Sequence, residues 1–236
     1  MTKRAFAAAS MTVALVLALA LALGRAGGAS AGEGYSPKVG DVAVVFVKDV
    51  LPGKGAEATE STKGYLLPRL KTDAIVGDTY LTIDEKGTEI VDIRFNAPKF
   101  GTVGNYREPV DQRLHPGLTG KARITPFKVV DALDKGFVAR EGDRMVVFWG
   151  DVKKGKLAEA KAIYHEKVLA AVRADPSVRN HYLLEDETGT KLVGITFLRG
   201  EVVSTPAVAS ASALLDPLVE KSSRRVNYTI YGLNDE

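Results

Sequence analysis

The sequence predicts an α+β fold made of two tandem βαββαβ repeats, and three patterns support this prediction. The second half matches the first at a constant shift of 102 positions, from Gly142 back to Gly40. Each half holds short apolar runs typical of strands and a longer run with apolar residues three and four positions apart, which is typical of a helix. Self-similarity at a fixed period indicates a duplicated unit. Further matches pair Val146-Val147-Phe148 with Val44-Val45-Phe46, Asp151-Val152 with Asp49-Val50, Tyr182-Leu183 with Tyr80-Leu81, and Asp186-Glu187 with Asp84-Glu85.

The composition excludes several classes of protein. The chain of 236 residues has no cysteine, which excludes disulfides, thiol nucleophiles and cysteine-bound metals. Lys3, Arg4 and Arg25 account for its formal net charge of +3, since the rest carries 29 basic (32 − 3) and 29 acidic residues. This balance gives no electrostatic basis for binding nucleic acid. Phosphate-loop, HExxH and Gly-x-Ser-x-Gly motifs are absent from the sequence, and three scattered histidines predict no metal site.

The first 31 residues have the pattern of a secretory signal peptide. Lys3 and Arg4 precede an Ala/Leu/Val-rich run through Leu23, and Ala29-Ser30-Ala31 has the small-x-small pattern of a cleavage site. We therefore expect a secreted or periplasmic protein cleaved after Ala31, with no stable membrane span afterwards. The alternative is an uncleaved anchor, because the apolar run approaches the roughly 20 residues that span a bilayer.

The duplication sets the expected domain boundaries. Residues 1–31 form the signal peptide, 32–40 a flexible lead-in, 41–133 the first repeat, 134–142 a linker and 143–236 the second repeat. The linker is too short for independent tumbling of the repeats. Each repeat of roughly 90 residues is close to the smallest size that holds a core unaided, so we expect the two to dock. The chain should be a monomeric pseudo-dimer or a homodimer.

The first strand of each repeat is apolar on both faces. In Asp41 to Val50, Val45 and Val47 alternate with Val44 and Phe46, and the second repeat copies this pattern. A strand that is apolar on both faces is covered on both. Helices cover only one side of a ferredoxin-like sheet, so we expect the partner repeat to cover the other.

The helix that follows differs between the repeats. From about Lys156 to Arg173 the apolar spacing predicts a regular helix that Asp175-Pro176 ends. Its counterpart, about Lys54 to Lys71, contains Gly64 and Pro68, so we expect a kinked or broken helix.

Hairpins and closing elements complete each repeat. Gly87 and Gly189 lie in four-residue turns that call for a positive φ. The predicted hairpins pair Gly77 to Ile83 with Thr88 to Phe95 in the first repeat, and Asn180 to Leu184 with Thr190 to Phe197 in the second. A loop follows each hairpin, Asn96 to Asn105 and Arg199 to Thr205, and then a second helix, Tyr106 to Leu114 and Pro206 to Ser222. The closing strands are Arg123 to Leu133 and Arg225 to Leu233.

Five stretches of the second repeat carry a family resemblance: Val146-Val147-Phe148, Val152 to Lys156, Tyr182 to Asp186, Leu192 to Phe197 and Asn227 to Tyr231. Together they resemble the antibiotic biosynthesis monooxygenase-like group of the dimeric α/β barrel superfamily, over 143–233 and more weakly over 41–133. The resemblance implies two ferredoxin-like units with their sheets face to face, here fused into one chain. It implies oxygenation without a cofactor, or haem degradation. Neither repeat has the Trp common near Phe95 and Phe197, and the Asn, Trp and His of haem-degrading members have no counterparts.

Aromatic residues of the second repeat are the candidates for ligand binding. Trp149, Tyr182 and Phe197 could form walls for an apolar or aromatic molecule held between sheet and helices. The alternative is that they are core residues. Because adjacent strand residues point to opposite faces, either His181 or Tyr182 points inward, and we expect it to be Tyr182.

The candidates for catalysis are His165, Tyr182 and Asn180, which could position and deprotonate a phenolic substrate. The alternative for His165 is a solvated position on the helix, and His115 is expected in a loop. Haem binding would place His165 or His181 on the iron. From these residues we expect an exported protein that binds a small molecule without a cofactor; a monooxygenase acting on a phenolic substrate is the first alternative, and a haem protein is the second.

Overall fold

A computed structural model describes residues 36–70, 76–96, 117–198 and 205–234. The predicted signal peptide, the helix at Tyr106 to Leu114 and His115 lie outside the described residues, as do most of the two predicted loops. Within these ranges, none of the helices combines the length and apolar character needed to cross a membrane.

Eight strands and four α-helices make up the described fold. The strands are β1 Val42–Asp49, β2 Val76–Asp84, β3 Glu89–Asn96, β4 Arg123–Leu133, β5 Arg144–Asp151, β6 Val178–Asp186, β7 Lys191–Leu198 and β8 Arg224–Leu233. The helices are α1 Gly55–Leu70, α2 Leu157–Ile163, α3 Leu169–Ala174 and α4 Pro206–Ala213, with a π-helical segment Tyr164–Val168 between α2 and α3 and a 3₁₀ turn Asp216–Leu218 after α4.

The strands close into one antiparallel barrel in the order β1-β3-β2-β8-β5-β7-β6-β4. Each half contributes a four-stranded sheet of ferredoxin-like order, β4-β1-β3-β2 and β8-β5-β7-β6. The sheets join edge to edge, because β2 pairs with β8 and β4 pairs with β6. Their inner faces meet across the interior. This arrangement confirms the prediction of a pseudo-dimeric α/β barrel.

The barrel interior is filled by side chains from both halves. At its centre lie Tyr80 and Phe95 from the first half with Tyr182 and Phe197 from the second, at ring-centroid separations of 4.7 to 6.2 Å. Such pairs contribute about 0.5–1.5 kcal/mol each beyond the area that they bury. The doubly apolar first strands follow from this geometry, since one face lines the barrel interior and the other packs beneath helices.

The expected break in the first helix is wrong. α1 runs without interruption from Gly55 to Leu70. Pro68 lies in the last turn, where its missing N–H removes only the hydrogen bond to the Gly64 carbonyl. The irregularity lies in the second half, where the predicted regular helix contains the π-helical segment.

The two hairpin turns are built alike. Gly87 and Gly189 have φ values of 68° and 66°, which confirms the predicted left-handed positions. A buried aspartate organises each turn: Asp186 accepts the backbone N–H groups of Thr190 and Lys191 at 2.8 and 2.7 Å, and Asp84 does the same one repeat earlier.

Candidate functional site

A cavity of about 380 Å³ lies between the outer face of the second-half sheet and the helices that cover it. Its walls are mostly apolar. The apolar lining includes Val146, Phe148, Val168, Val172, Val178, Leu198, Val208 and Leu215. Gly194 lies on its floor, directly beneath the Tyr164 hydroxyl.

Three polar side chains form a hydrogen-bonded set on the cavity floor. His181 of β6 is 1% exposed, and its Nε2 lies 2.8 Å from the hydroxyl of Tyr164. Its Nδ1 lies 2.8 Å from Oγ1 of Thr196 on β7. The Tyr164 and His181 rings stack with centroids 5.7 Å apart. Both imidazole nitrogens therefore have partners, which fixes the orientation of the ring.

Two features of the backbone allow Tyr164 to reach this position. It begins the π-helical segment, in which both Tyr164 and Val168 are buried toward the sheet. π-Bulges of this kind occur frequently at functional sites. Opposite the tyrosine lies Gly194 of β7, where a Cβ would overlap the Tyr164 hydroxyl. The close approach of phenol and strand thus requires glycine.

Burial determines the protonation states of the pair. Desolvation lowers the pKa of His181 to about 4, and the negative charge of Asp131 opposes this shift only in part. The imidazole is therefore neutral at pH 7. Desolvation also raises the pKa of the Tyr164 phenol, with a lowering influence from Arg225 and a raising one from Asp131. Nε2 of His181 either accepts from or donates to the Tyr164 hydroxyl, depending on the imidazole tautomer, so the Tyr164 oxygen can act as acceptor or donor toward a ligand.

The predicted aromatic residues Trp149, Tyr182 and Phe197 lie on the other face of the same sheet. Tyr182 points into the barrel, as expected, and makes a T-shaped contact with Phe197. Trp149 packs against the same interior cluster from one end, and its buried indole nitrogen makes no hydrogen bond of normal geometry within the described chain. None of the three lines the cavity described above. Their role in ligand binding stays a prediction.

Two of the three predicted catalytic residues, Asn180 and Tyr182, lie within hydrogen-bonding distance of each other, whereas His165 lies apart from them. Asn180 accepts the backbone N–H of Lys135 at 2.9 Å and donates to the carbonyl of Phe137 at 3.0 Å, so it holds the linker against β6. Its amide lies 3.4 Å from the Tyr182 hydroxyl. His165 is 70% exposed and pairs with Asp131 at 2.7 Å, outside the cavity. A joint catalytic role for His165, Asn180 and Tyr182 stays untested.

Sequence reasoning did not single out Tyr164, Gly194, Thr196 or Arg225 as site residues, and it considered His181 only as a haem ligand. A signal for them exists in the internal duplication, because the two halves differ at these positions: Tyr164, His181, Gly194 and Thr196 stand where the first half has Thr62, Thr79, Asp92 and Arg94. Residues that are the same in both halves belong to the shared scaffold, whereas these four residues, which differ between the halves, line the cavity on the outer face of the second half.

Solved structures share this architecture. A protein provisionally named as a monooxygenase from Fusobacterium nucleatum superposes with a TM-score of 0.66 at 13% identity, over 83% of this chain and 94% of that one. An anthrone oxidase-like protein gives 0.62 at 11% identity over 86% and 97%. A ferredoxin-fold protein from Listeria monocytogenes, described as related to antibiotic biosynthesis monooxygenases, gives 0.50 at 12% over 82% and 96%.

No family model and no curated protein matches the sequence. The fold and the barrel topology define a dimeric α/β barrel protein in pseudo-dimeric, single-chain form. Within that class, the chain has the ferredoxin-like fold of the antibiotic biosynthesis monooxygenase-like proteins.

Proposed function

We propose that this protein binds a small apolar or aromatic molecule in the second-half cavity, between the sheet and the π-helical segment, α3 and α4. One observation carries the proposal: the cavity is lined by apolar side chains and has a fixed polar set at its floor. Small-molecule sites usually have this composition, and a volume of about 380 Å³ falls within their usual range of about 300–1,000 Å³.

A cavity-filling variant tests this proposal. Val208 lines the cavity from α4, whereas its neighbour Ala207 is exposed and does not. We expect 2-naphthol to bind the wild-type chain and the Ala207→Trp control with similar affinity in a fluorescence titration. Val208→Trp should weaken binding at least about tenfold, a cost of about 1.4 kcal/mol. Equal affinity in Val208→Trp and the control would place the binding site elsewhere.

Oxygenation without a cofactor is the second candidate function, and the His181–Tyr164 pair favours it. The unprotonated imidazole of His181 is linked to the cavity through the Tyr164 hydroxyl and would be the acceptor for the proton of an electron-rich phenolic substrate, although its lowered pKa makes it a weak base. For an anthrone-type substrate, the methylene carbon would lose two hydrogens and gain one oxygen atom from O₂. The other oxygen atom would leave as water, so no external reductant is needed.

An oxygen electrode measurement with anthrone tests this second function. We expect one O₂ consumed per anthraquinone formed, and a loss of at least about tenfold in rate for His181→Gln, which removes the base. His165→Gln provides a matched control, because that histidine is exposed and lies outside the cavity. Equal rates for His181→Gln and the wild-type chain would exclude His181 as the base.

The histidines do not fit a haem as they are arranged. Both ring nitrogens of His181 are hydrogen-bonded, and His165 faces solvent with Nδ1 on Asp131. An axial ligand needs a free nitrogen that faces the porphyrin: His181 has none, and His165, whose Nδ1–carboxylate pair would suit a metal ligand, lies outside the cavity. Haemin added to the purified chain is therefore expected to give no shifted Soret band.

Export is the remaining part of the proposed function, and its support is the signal-peptide pattern of residues 1–31. Mass spectrometry of the protein from its producing cells tests it, with a chain that begins at residue 32 as the expected result. A chain that retains residues 1–31 would favour the anchor instead.

A further inference from the structure

Arg225 stands at the open end of the cavity. It lies on the outer face of β8, is exposed, and has its guanidinium carbon 5.3 Å from the centre of the Phe148 ring. Both Arg225 and Phe148 line the cavity and also a shallower surface depression of about 440 Å³. This arginine therefore lies where the cavity and the depression adjoin.

Unlike its neighbour, Arg225 is not used to hold the fold together. Arg224 points to the inner side of β8 and binds both oxygens of Glu89 at 2.8 and 2.9 Å. For Arg225 no hydrogen bond or ion pair occurs among the described residues, and its contact is with an aromatic ring. Stacking of a guanidinium on a ring leaves its N–H donors free for a second partner.

The charge around this opening is positive. The depression is lined by Lys153, Lys221, Arg224 and Arg225 against Asp216 and Glu220. Inside the cavity the lining carboxylate is Asp175, which already accepts the N–H and hydroxyl of Ser177 at 2.9 and 2.6 Å. Asp131, the acid that influences Tyr164 and His181, is bound to His165. An anion at the opening would therefore contact the Arg225 guanidinium, because the nearby carboxylates of Asp131 and Asp175 are already bound by other side chains.

We propose that the ligand is an amphipathic organic anion: its flat apolar body occupies the cavity, and its carboxylate binds the guanidinium of Arg225 at the opening. This inference rests on the proposed binding function and adds the charge and orientation of the ligand. The planar fork of an arginine can bind both oxygens of a carboxylate, which a lysine cannot do.

Two probes of nearly the same shape test this inference, namely 2-naphthoate and its neutral counterpart 2-naphthamide. The wild-type chain should bind 2-naphthoate about tenfold or more tightly than 2-naphthamide, because hydrogen bonds to charged groups are the stronger kind. Arg225→Gln should remove that difference by weakening 2-naphthoate alone. Arg225→Lys should recover only part of it. The control Arg140→Gln removes the same charge from an exposed linker residue outside the cavity lining and should change neither affinity.

The outcomes separate the two proposals. If both probes bind with equal affinity, or Arg225→Gln weakens both equally, the anion inference is overturned while the binding function stands. If neither probe binds the wild-type chain, and 2-naphthol does not bind either, the proposed function fails and the inference with it. A weakening of 2-naphthoate by Arg140→Gln as large as that by Arg225→Gln would reduce the effect to overall charge and also overturn the inference.

Discussion

The outer faces of the two half-barrels hold different chemistry on the same scaffold. In the first half, Asp92 and Arg94 of β3 form a buried ion pair at 2.5 Å, and the Arg94 guanidinium carbon lies 4.2 Å from the centre of the Phe46 ring. In the second half, the matching positions of β7 are Gly194 and Thr196. Salt-bridged side chains occupy one face, and small residues line a cavity on the other.

The inner faces, in contrast, have kept the same aromatic residues. Tyr80 and Phe95 correspond to Tyr182 and Phe197, and all four are buried in the barrel interior. The barrel interior is therefore the structural requirement that both halves share, whereas the outer faces of the two halves differ. Substitutions in each half can test that division.

The largest effect is expected from breaking the buried ion pair of the first half. Asp92→Ala removes the carboxylate that binds the buried Arg94 guanidinium and should lower the free energy of unfolding by about 3–5 kcal/mol. Urea denaturation measures the loss. The double variant Asp92→Gly with Arg94→Thr copies the second half and buries no charge, so it should lose less. Equal losses in the single and the double variant would contradict the importance of the Asp92–Arg94 ion pair.

The second effect concerns pH and the buried histidine of the second half. The pKa of His181 is about 4 in the folded chain, against 6.5 for an unperturbed histidine. Between pH 4 and pH 6.5, the unfolded chain therefore binds a proton at this residue that the folded chain does not bind. Stability is therefore fully present above pH 6.5 and falls toward pH 4, by up to about 3 kcal/mol.

Denaturation at pH 7 and pH 4.5 checks this prediction. His181→Gln should show a smaller loss between these pH values than the wild-type chain, and His165→Gln should show the full loss because that side chain is exposed. The same slope in His181→Gln would mean that other groups cause the acid sensitivity.

The third effect tests the close approach at Gly194. Gly194→Ala places a Cβ against the Tyr164 hydroxyl and should cost about 1–3 kcal/mol of stability through overpacking. Removal of that hydroxyl in the double variant with Tyr164→Phe should recover part of the loss. A double-mutant cycle by thermal or urea unfolding gives the coupling, and a coupling of zero would show that the two positions do not interact.

The smallest effect should be the same in both halves. Burial alone would raise the pKa of Asp84 and of Asp186, but hydrogen bonds from the turn residues outweigh it and lower both pKa values. Their contribution is present above the unfolded pKa and is lost as pH falls through the folded one. Asp84→Ala and Asp186→Ala should each cost about 1–2 kcal/mol at pH 7. A clear difference between the two losses in urea denaturation would show that the two turns do not contribute equally to stability.

The sequence predicts the shared parts of this molecule well, because they repeat. The turn glycines Gly87 and Gly189 and the inward orientation of Tyr182 follow from the internal sequence repeat, and the order of the strands follows from the family resemblance. The location of the cavity between sheet and helices of the second half also agrees with expectation. The residues expected to form its walls do not line it. Strand β5 is apolar on both faces, so its sequence does not reveal which face points into the barrel, and Trp149 lies on the face opposite to the cavity.

Other features depend on local detail that apolar spacing does not contain. The three- and four-residue pattern predicts a helix through Tyr164 but cannot distinguish the extra residue of a π-helical turn. A helix-breaking residue such as Pro68 disturbs a helix little in its last turn and strongly in its middle. The effect therefore depends on where the helix ends, which apolar spacing does not determine. The pairing of Tyr164 with His181 depends on Gly194, which reads in sequence as an ordinary strand residue.

Closure of the barrel by β2–β8 and β4–β6 pairing has a consequence for how the chain reaches its native state. Tyr80 pairs with Leu233, so one seam forms only after nearly the whole chain is available. Contacts this distant in sequence slow folding. Until then the first half presents two unpaired strand edges, which attract other strands. A first half released on its own should therefore associate with a second copy of itself, with its two edges pairing as β2–β8 and β4–β6 pair in the intact chain.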